Sequence, residues 1–153
     1  YKIYPKIVMD DENKVSPIDK FTPLYKNSTN IKIVQDAMFA STNEVRGTSY
    51  RSRIDDPKYQ FAGKTGTAQV KKITERDREL DLKTFQIPYE ERDHALYIAY
   101  GPYKNPRYAV SILVEHGGNG STTAAPMAKK LFKTIIDRHQ LRESINNKKY
   151  LDI

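Results

Sequence analysis

Two neighbouring stretches in the second half of the chain alternate between large apolar side chains and other residues. They are residues 94–100 and 108–115, and the connection between them, residues 101–107, contains Gly, Asn and two Pro residues. A period of two is typical of β-strands, and a short connection made of turn-forming residues is typical of a hairpin. The pattern therefore predicts an antiparallel hairpin.

A helical spacing of apolar positions precedes this hairpin and begins near residue 28. Ser28, Thr29 or Asn30 can cap this helix, because a side-chain oxygen at that point accepts a hydrogen bond from a free N–H of the first turn. The positions expected on one face of the helix are Ile31, Val34, Ala37, Met38 and Ser41.

A second helix is predicted after the glycine-rich stretch 117–120. Ser121, Thr122 or Thr123 can cap it. The polar tail, residues 140–153, is expected to fray. The apolar stripe consists of Ala124, Met127, Ala128, Leu131, Phe132, Ile135 and Ile136, and Lys129, Lys130 and Lys133 are expected to face away from it.

Residues 59–70 predict a strand whose central residues are unusually small. Glycine weakens a strand, so Gly63 and Gly66 indicate the close approach of a ligand or of another backbone. Residues 1–9 can form a further strand at a sheet edge, because they contain a proline, which lacks a backbone donor. The charge-rich residues 71–93 predict a long connection of the kind that often serves as a lid.

The order helix, strand, hairpin, helix predicts an α+β fold in which the antiparallel strands, the 59–70 strand and the hairpin, pack with the C-terminal helix. A chain of 153 residues has the size of one domain. It contains no cysteine, which excludes disulfides and thiolate chemistry.

Composition also limits the partners and cofactors. The net charge of +7 favours anionic ligands, but no zinc-finger, RNP or KH motif is present, so nucleic acid is not expected to bind. The histidines His94, His116 and His139 lack the spacing of a standard metal site, and no metal or other cofactor is expected.

The most informative motif is Lys64-Thr65-Gly66-Thr67. Side chains alternate along a strand, so Thr65 and Thr67 share one face. Two hydroxyls and an ammonium group are suited to bind a carboxylate. An exposed strand edge with glycine beside it allows a peptide backbone to approach closely.

The segment that contains this motif resembles the third active-site motif of the class B penicillin-binding proteins, which are related in fold to the serine β-lactamases. Residues 1–153 are therefore expected to form one partial transpeptidase domain, its C-terminal portion, and the resemblance is strongest over residues 40–138. The stretches that carry it are 46–50, 61–70, 93–103, 105–110 and 124–126.

The resemblance implies a peptidoglycan D,D-transpeptidase, which cross-links stem peptides through an acyl-serine intermediate and is acylated by β-lactams. Lys64 would be catalytic, within the polar network at the serine. Thr65, Gly66 and Thr67 would form the substrate-binding strand, with the two threonines on the terminal carboxylate. The backbone N–H of Thr67 would be catalytic as one half of the oxyanion hole.

One departure from the family pattern concerns the nucleophile. No Ser-x-x-Lys sequence occurs in the chain, and the three Ser-x-Asn sequences, at residues 28–30, 41–43 and 144–146, have the wrong spacing or order. The nucleophile is therefore expected in an upstream half of the same domain, and the chain alone is expected to be inactive. The resemblance further implies that an upstream helix tethers the parent protein at the periplasmic face of the bacterial inner membrane.

An alternative hypothesis is that the chain is a stand-alone basic module, which binds a peptide or a nucleic acid through the predicted strand at residues 59–70. A natural reading frame that starts near Tyr1 would favour this alternative. An upstream Ser-x-x-Lys followed by Ser-x-Asn would exclude it.

We expect the isolated chain to dimerise or exchange strands at high concentration, because a partial sheet leaves an unpaired edge. Sedimentation over a range of concentrations measures this association. A monomer at every concentration would contradict the expectation.

Overall fold

The computed structural model of this chain describes most of its length. The described residues are 26–72, 75–80 and 82–151. The edge strand predicted at residues 1–9 lies outside them. No helix in the described part of the chain is long and apolar enough to cross a membrane.

The chain divides into two compact units, residues 1–34 and residues 35–153. Helix α1, Ser28–Asn43, includes residues of both. The later elements all belong to the second unit and include short 3₁₀ and π turns. They are Tyr50–Ser52 (3₁₀), β1 Ala62–Ala68, α2 Glu75–Leu80, Thr84–Gln86 and Tyr89–Glu91 (both 3₁₀), β2 His94–Gly101, β3 Tyr108–Val114, Gly120–Ala124 (π) and α3 Ala125–Leu151.

The second unit contains an antiparallel sheet with the spatial order β1-β2-β3. Its register pairs Thr65 with Tyr97 and Tyr97 with Ile112. Directly opposed residues point to the same face of a sheet, so these three side chains share one face. The predicted hairpin, the predicted motif strand and the α+β class are confirmed.

Helix α3 covers that face of the sheet. Small side chains let the helix approach the strands closely, and Phe132 fills the remaining space by stacking on Phe61 with ring centroids 4.9 Å apart. The rings of Tyr97 and Phe61 meet edge-on, with their centroids 6.4 Å apart. The buried residues of the helix and the turn before it are Ala124, Ala125, Ala128, Phe132 and Ile136.

The predicted stripe of α3 is too wide. Met127 and Leu131 are 47% and 39% exposed, because the row spaced by four residues from Ala124 already covers the sheet. The backbone is helical as far as Leu151, and no Gly or Pro follows Pro126 to stop it. Fraying of residues 140–153 concerns dynamics and stays a prediction.

Both predicted helix caps are wrong by one or more residues. Asn27 caps α1, because its Oδ1 accepts from the Thr29 N–H at 2.8 Å. Asn119 precedes the second helical segment, and its Oδ1 accepts from the Ser121 N–H at 2.8 Å. The π turn inserted between Asn119 and α3 moves the start of the regular helix to Ala125.

The face predicted for α1 is also not the buried one. Ile31, Val34 and Ala37 are exposed, and Met38 and Ser41 are half-buried. The residue of α1 that is fully buried is polar Thr42. The last turn of this helix is therefore held by hydrogen bonds rather than by an apolar stripe.

These hydrogen bonds converge on the phenol oxygen of Tyr97. Tyr97 Oη lies 2.8 Å from Thr42 Oγ1 and 3.1 Å from Ser49 Oγ. Thr42 Oγ1 accepts from the Gly63 N–H at 3.0 Å, and Ser49 Oγ donates to the Ser41 carbonyl at 3.0 Å. This cluster, the buried hydroxyl cluster, joins α1, the following loop and two strands.

Beside the cluster, Asn43 makes a second link between α1 and the strand region. Its amide donates to the carbonyls of Phe39 and Phe61 at 3.0 and 2.9 Å. The end of α1 is therefore fixed against the chain immediately before and within β1.

We predict that Gly63→Ala destabilises the protein by about 1–3 kcal/mol, the usual cost of an overpacked interior. A Cβ at Gly63 would lie 2.4 Å from Tyr97 Oη, and the buried, hydrogen-bonded Tyr97 ring cannot move away cheaply. Urea unfolding of the purified protein measures the change.

Gly66→Ala is the matched control for this prediction. The nearest atom to a Cβ at Gly66 is the Leu96 Cβ at 3.3 Å, so the control should lose less stability. If the Gly63 variant were as stable as the original protein, the close approach of Tyr97 to Gly63 would not be what requires glycine at this position.

Candidate functional site

The middle of β1 lines an open cleft of about 390 Å³. All four residues of the predicted motif contribute to it, together with residues from the loop after α1 and from the start of the π turn. The lining residues are Thr48, Lys64, Thr65, Gly66, Thr67, Asn119 and Ser121. We call this the Lys-Thr-Gly cleft.

A row of hydroxyl groups leads from α1 to this cleft. Ser41 Oγ lies 3.2 Å from Thr48 Oγ1, which in turn lies 3.3 Å from Thr65 Oγ1. The Thr65 hydroxyl is thereby oriented by its neighbours. Within the described part of the chain, the Thr67 hydroxyl has no hydrogen-bond partner, so it can serve a ligand.

Lys64 alternates with the threonines along the strand, yet it lines the same cleft. Its Nζ donates to the Thr65 carbonyl at 2.8 Å. In the part of the chain that the structure describes, Lys64 forms no ion pair. A cation beside two hydroxyls, with no carboxylate among the lining residues, gives the cleft the chemistry of a carboxylate site.

The start of the π turn is pressed against the strand pair β1–β2. A Cβ at Gly120 would lie 2.5 Å from the Leu96 carbonyl oxygen and 2.7 Å from that of Gly66, so only glycine fits there. Asn119 Oδ1 accepts from both the N–H and the Oγ of Ser121 at 2.8 Å. This close approach brings Ser121 to the cleft.

Three lining residues were not predicted as site residues. Thr48 lies in the 46–50 stretch that resembles the family, Ser121 was considered only as a helix cap, and Asn119 only as part of a glycine-rich turn. A local pattern could not place them in the cleft, because the contact with β1 depends on how α3 packs over the sheet.

Behind the cleft lies the buried hydroxyl cluster. Burial raises the pKa of the Tyr97 phenol, and the hydrogen bonds with Ser49 and Thr42 oppose that shift in part. The phenol is therefore protonated at neutral pH and remains a hydrogen-bond donor to the cluster.

The three histidines make structural contacts away from the cleft. His94 Nδ1 accepts from the His116 N–H at 2.9 Å. His139 lies between the Tyr108 hydroxyl, 2.6 Å from its Nδ1, and Glu143, 2.9 Å from its Nε2. Among the described residues, no three His, Asp or Glu side chains come together in a way that could hold a metal ion.

The long connection between β1 and β2 is tied at its base. The Val70 N–H donates to Asp93 Oδ1 at 3.2 Å, and Lys71 pairs with Glu91 at 2.7 Å. The described part of the connection contains α2 and two 3₁₀ turns. That the connection between β1 and β2 acts as a lid stays a prediction.

Comparison with known proteins gives the family. The model of the penicillin-binding protein transpeptidase domain matches residues 2–136. The peptidoglycan D,D-transpeptidase MrdA of Salmonella typhimurium is 36% identical over 105 residues, which are 69% of this chain and 16% of that protein. MrdA of Haemophilus influenzae is 39% identical over 101 residues, which are 66% of this chain and 15% of that protein.

Solved structures give the same result. The chain is 31% identical to the penicillin-binding protein PBP2 of Helicobacter pylori in its complex with MreC, with a TM-score of 0.58 over 71% of this chain and 17% of that one. It is 30% identical to PBP2 of Pseudomonas aeruginosa, with a TM-score of 0.57 over 77% of this chain and 23% of that one.

The chain spans about one sixth of the length of these curated relatives. The part that the family model matches contains the sheet, the Lys-Thr-Gly motif and the first twelve residues of α3, as far as Ile136. The chain belongs to the family of penicillin-binding protein transpeptidase domains, and it corresponds to the C-terminal part of such a domain, as in PBP2.

Proposed function

We propose that this chain forms one side of the active site of a serine D,D-transpeptidase that cross-links the stem peptides of peptidoglycan. The observation that carries the proposal is the Lys-Thr-Gly cleft, which is lined by Lys64, Thr65 and Thr67 and by no carboxylate. The chain's relatives in Salmonella typhimurium and Haemophilus influenzae, which are peptidoglycan D,D-transpeptidases, support the proposal.

In the proposed reaction, a serine hydroxyl attacks the peptide carbonyl between two terminal D-alanines. An ester forms, and the last D-alanine leaves with the proton that the serine gives up. The amine of a second stem peptide then attacks the ester and forms the cross-linking amide, and the proton that the amine loses passes to the departing oxygen to restore the serine hydroxyl.

Two hydroxyls of the cleft recognise the end of the substrate. Thr65 and Thr67 donate hydrogen bonds to the terminal carboxylate, and the Lys64 ammonium strengthens them by its charge. The orientation of Thr65 by Thr48, and the absence of a partner for the Thr67 hydroxyl in the described part of the chain, support these roles.

The catalytic contributions come from Lys64 and from the backbone of Thr67. Lys64 takes part in the polar network that moves the serine proton. The Thr67 N–H stabilises the oxyanion, a contribution that amounts to about 3–4 kcal/mol for one such donor in other enzymes. Gly66 keeps the strand open to the substrate backbone.

The nucleophile belongs to the upstream half of the same domain, which is the main partner of this chain. The lack of any Ser-x-x-Lys sequence in this chain supports the assignment of the nucleophile to the upstream half. β-Lactams occupy the same site and acylate that serine. The complete protein acts on the periplasmic face of the inner membrane, tethered by an upstream helix, because its substrate lies outside the cytoplasm.

We predict that the isolated chain does not react with penicillin. It contains the carboxylate-binding side of the site but not the serine that would be acylated. Intact-mass spectrometry after incubation with benzylpenicillin should find the chain unchanged, while the complete protein gains one penicillin. A gain of one penicillin by the isolated chain would show that its own residues supply a nucleophile.

We further predict that Thr67→Val slows acylation of the complete protein by a fluorescent penicillin about tenfold to a hundredfold. The substitution keeps the shape and removes a hydrogen bond to the carboxylate, which is worth about 1.5–3 kcal/mol. Stopped acylation reactions resolved by electrophoresis give the second-order rate constant.

Thr134→Val is the matched control, because this exposed threonine of α3 bonds only to the Lys130 carbonyl, at 3.1 Å. The control should acylate at the original rate. If the Thr67 variant does so as well, its hydroxyl does not bind the carboxylate.

A further inference from the structure

Three hydroxyl groups form a row between the end of α1 and the Lys-Thr-Gly cleft. Ser41 Oγ lies 3.2 Å from Thr48 Oγ1, and Thr48 Oγ1 lies 3.3 Å from Thr65 Oγ1. We call these three residues the hydroxyl row. Within the described part of the chain, the Thr65 hydroxyl has no other hydrogen-bond partner, so its one hydrogen is available either to Thr48 or to a ligand.

The backbone on both sides of Thr48 is fixed against the end of α1. On one side, a Cβ at Gly47 would lie 2.3 Å from the Ser41 carbonyl oxygen, so glycine is required there. On the other side, the N–H and the Oγ of Ser49 both donate to that same carbonyl at 3.0 Å. Thr48 is therefore held beside Thr65 before a ligand arrives, and its ordering does not reduce the affinity.

The contacts of the hydroxyl row contribute little to folding. Thr48 is exposed and Ser41 is half-buried, so water can replace either partner when the other is lost. The loop that carries Thr48 is already fixed by Ser49, through the buried hydroxyl cluster. The row is therefore better explained by the cleft that it reaches than by the stability of the loop.

The direction of the hydrogen bonds in the row depends on what occupies the cleft. The oxygen positions allow either hydroxyl of each pair to donate. A hydroxyl has one hydrogen to donate, and an ionised carboxylate only accepts. When Thr65 donates to a carboxylate, its oxygen accepts from Thr48, and the Thr48 oxygen accepts from Ser41. All three hydrogens then run toward the carboxylate, and each bond polarises the next one.

We propose that Ser41 and Thr48 are positioning residues, which turn the Thr65 hydroxyl toward the terminal carboxylate of the substrate and strengthen it as a donor. This inference rests on the proposed function, because it concerns the same carboxylate. Neither residue contacts the reacting atoms. The row acts at the Thr65 end of the cleft, so it affects how tightly the carboxylate is held, whereas the bond that reacts lies beside the Thr67 N–H.

Acylation of the complete protein by benzylpenicillin tests this assignment. Thr48→Val keeps the shape of the side chain and removes its hydroxyl. We expect it to raise the dissociation constant of the initial penicillin complex about threefold to tenfold, the range for loss of one hydrogen bond. The rate constant of the acylation step should stay within about twofold of the original, because the carboxylate is held equally before and during that step. Rates measured over a range of penicillin concentrations separate the two constants.

Two comparisons show whether the effect belongs to the hydroxyl and to the carboxylate. Thr48→Ser restores a hydroxyl and should return the dissociation constant to its original value. The methyl ester of benzylpenicillin keeps the β-lactam carbonyl and lacks the charged acceptor, so Thr48→Val should slow its acylation by less than about twofold. A deformed cleft would slow the reactions of penicillin and of its ester alike, and that result would overturn the inference.

A double-mutant cycle tests whether Thr48 acts through Thr65. Thr65→Val should weaken the penicillin complex on its own, and Thr48→Val added to it should weaken the complex no further. Ser41→Ala, at the far end of the row, should have a smaller effect of about twofold. Ser144→Ala is its matched control and should have none, because that hydroxyl donates to the Leu141 carbonyl at 2.8 Å on the exposed surface of α3.

The outcomes separate this inference from the proposed function. If Thr65→Val weakens the penicillin complex and Thr48→Val does not, the carboxylate site stands and the positioning role of Thr48 is wrong. If Thr65→Val has no effect, the carboxylate assignment fails and the inference fails with it. Additive effects of the two substitutions would also overturn the inference, because Thr48 would then act by another route. Urea unfolding at the original midpoint shows that Thr48→Val and Ser41→Ala leave the fold intact.

Discussion

The Lys-Thr-Gly strand is held in place by one buried phenol. Tyr97, on the neighbouring strand, is 1% exposed, and its oxygen contacts hydroxyls from α1 and from the loop that follows it. Because a buried hydroxyl without a partner costs about 1–3 kcal/mol, these groups stay together. The Gly63 N–H joins the same cluster, so the residue before Lys64 is fixed in both position and direction.

The Lys-Thr-Gly cleft depends on this arrangement. The loop that starts at the end of α1 carries Ser49 into the buried hydroxyl cluster and Thr48 to the surface next to it, where Thr48 lines the Lys-Thr-Gly cleft. On the opposite border, Gly120 lies against the backbone of β1 and β2, and Ser121 follows. Gly63 leaves room for the Tyr97 ring, and Gly120 lets the π turn lie against the backbone of β1 and β2. The buried alanines of α3 let that helix lie close to the sheet. A small polar site can therefore form on the surface of a packed core.

Sequence patterns were sufficient for the three strands, for the presence of α1 and α3 and for the central motif. Period-two alternation predicted the hairpin, and the small residues around Gly66 predicted a strand that admits a ligand. The same patterns failed where packing decides the outcome. The buried residue of α1 is Thr42, which no hydrophobic pattern selects. Lys129, which the sequence predicts to face away from the protein, is half-buried, because α3 packs beside the loop after α1.

The claim that this chain is one side of a penicillin-reactive serine site is tested most directly in the cells that make it. An antibody against the chain is used to precipitate protein from cells labelled with a fluorescent penicillin. The account predicts a labelled band much larger than 17.7 kDa, the mass of this chain. An unlabelled band, alongside other penicillin-binding proteins that are labelled, would contradict it.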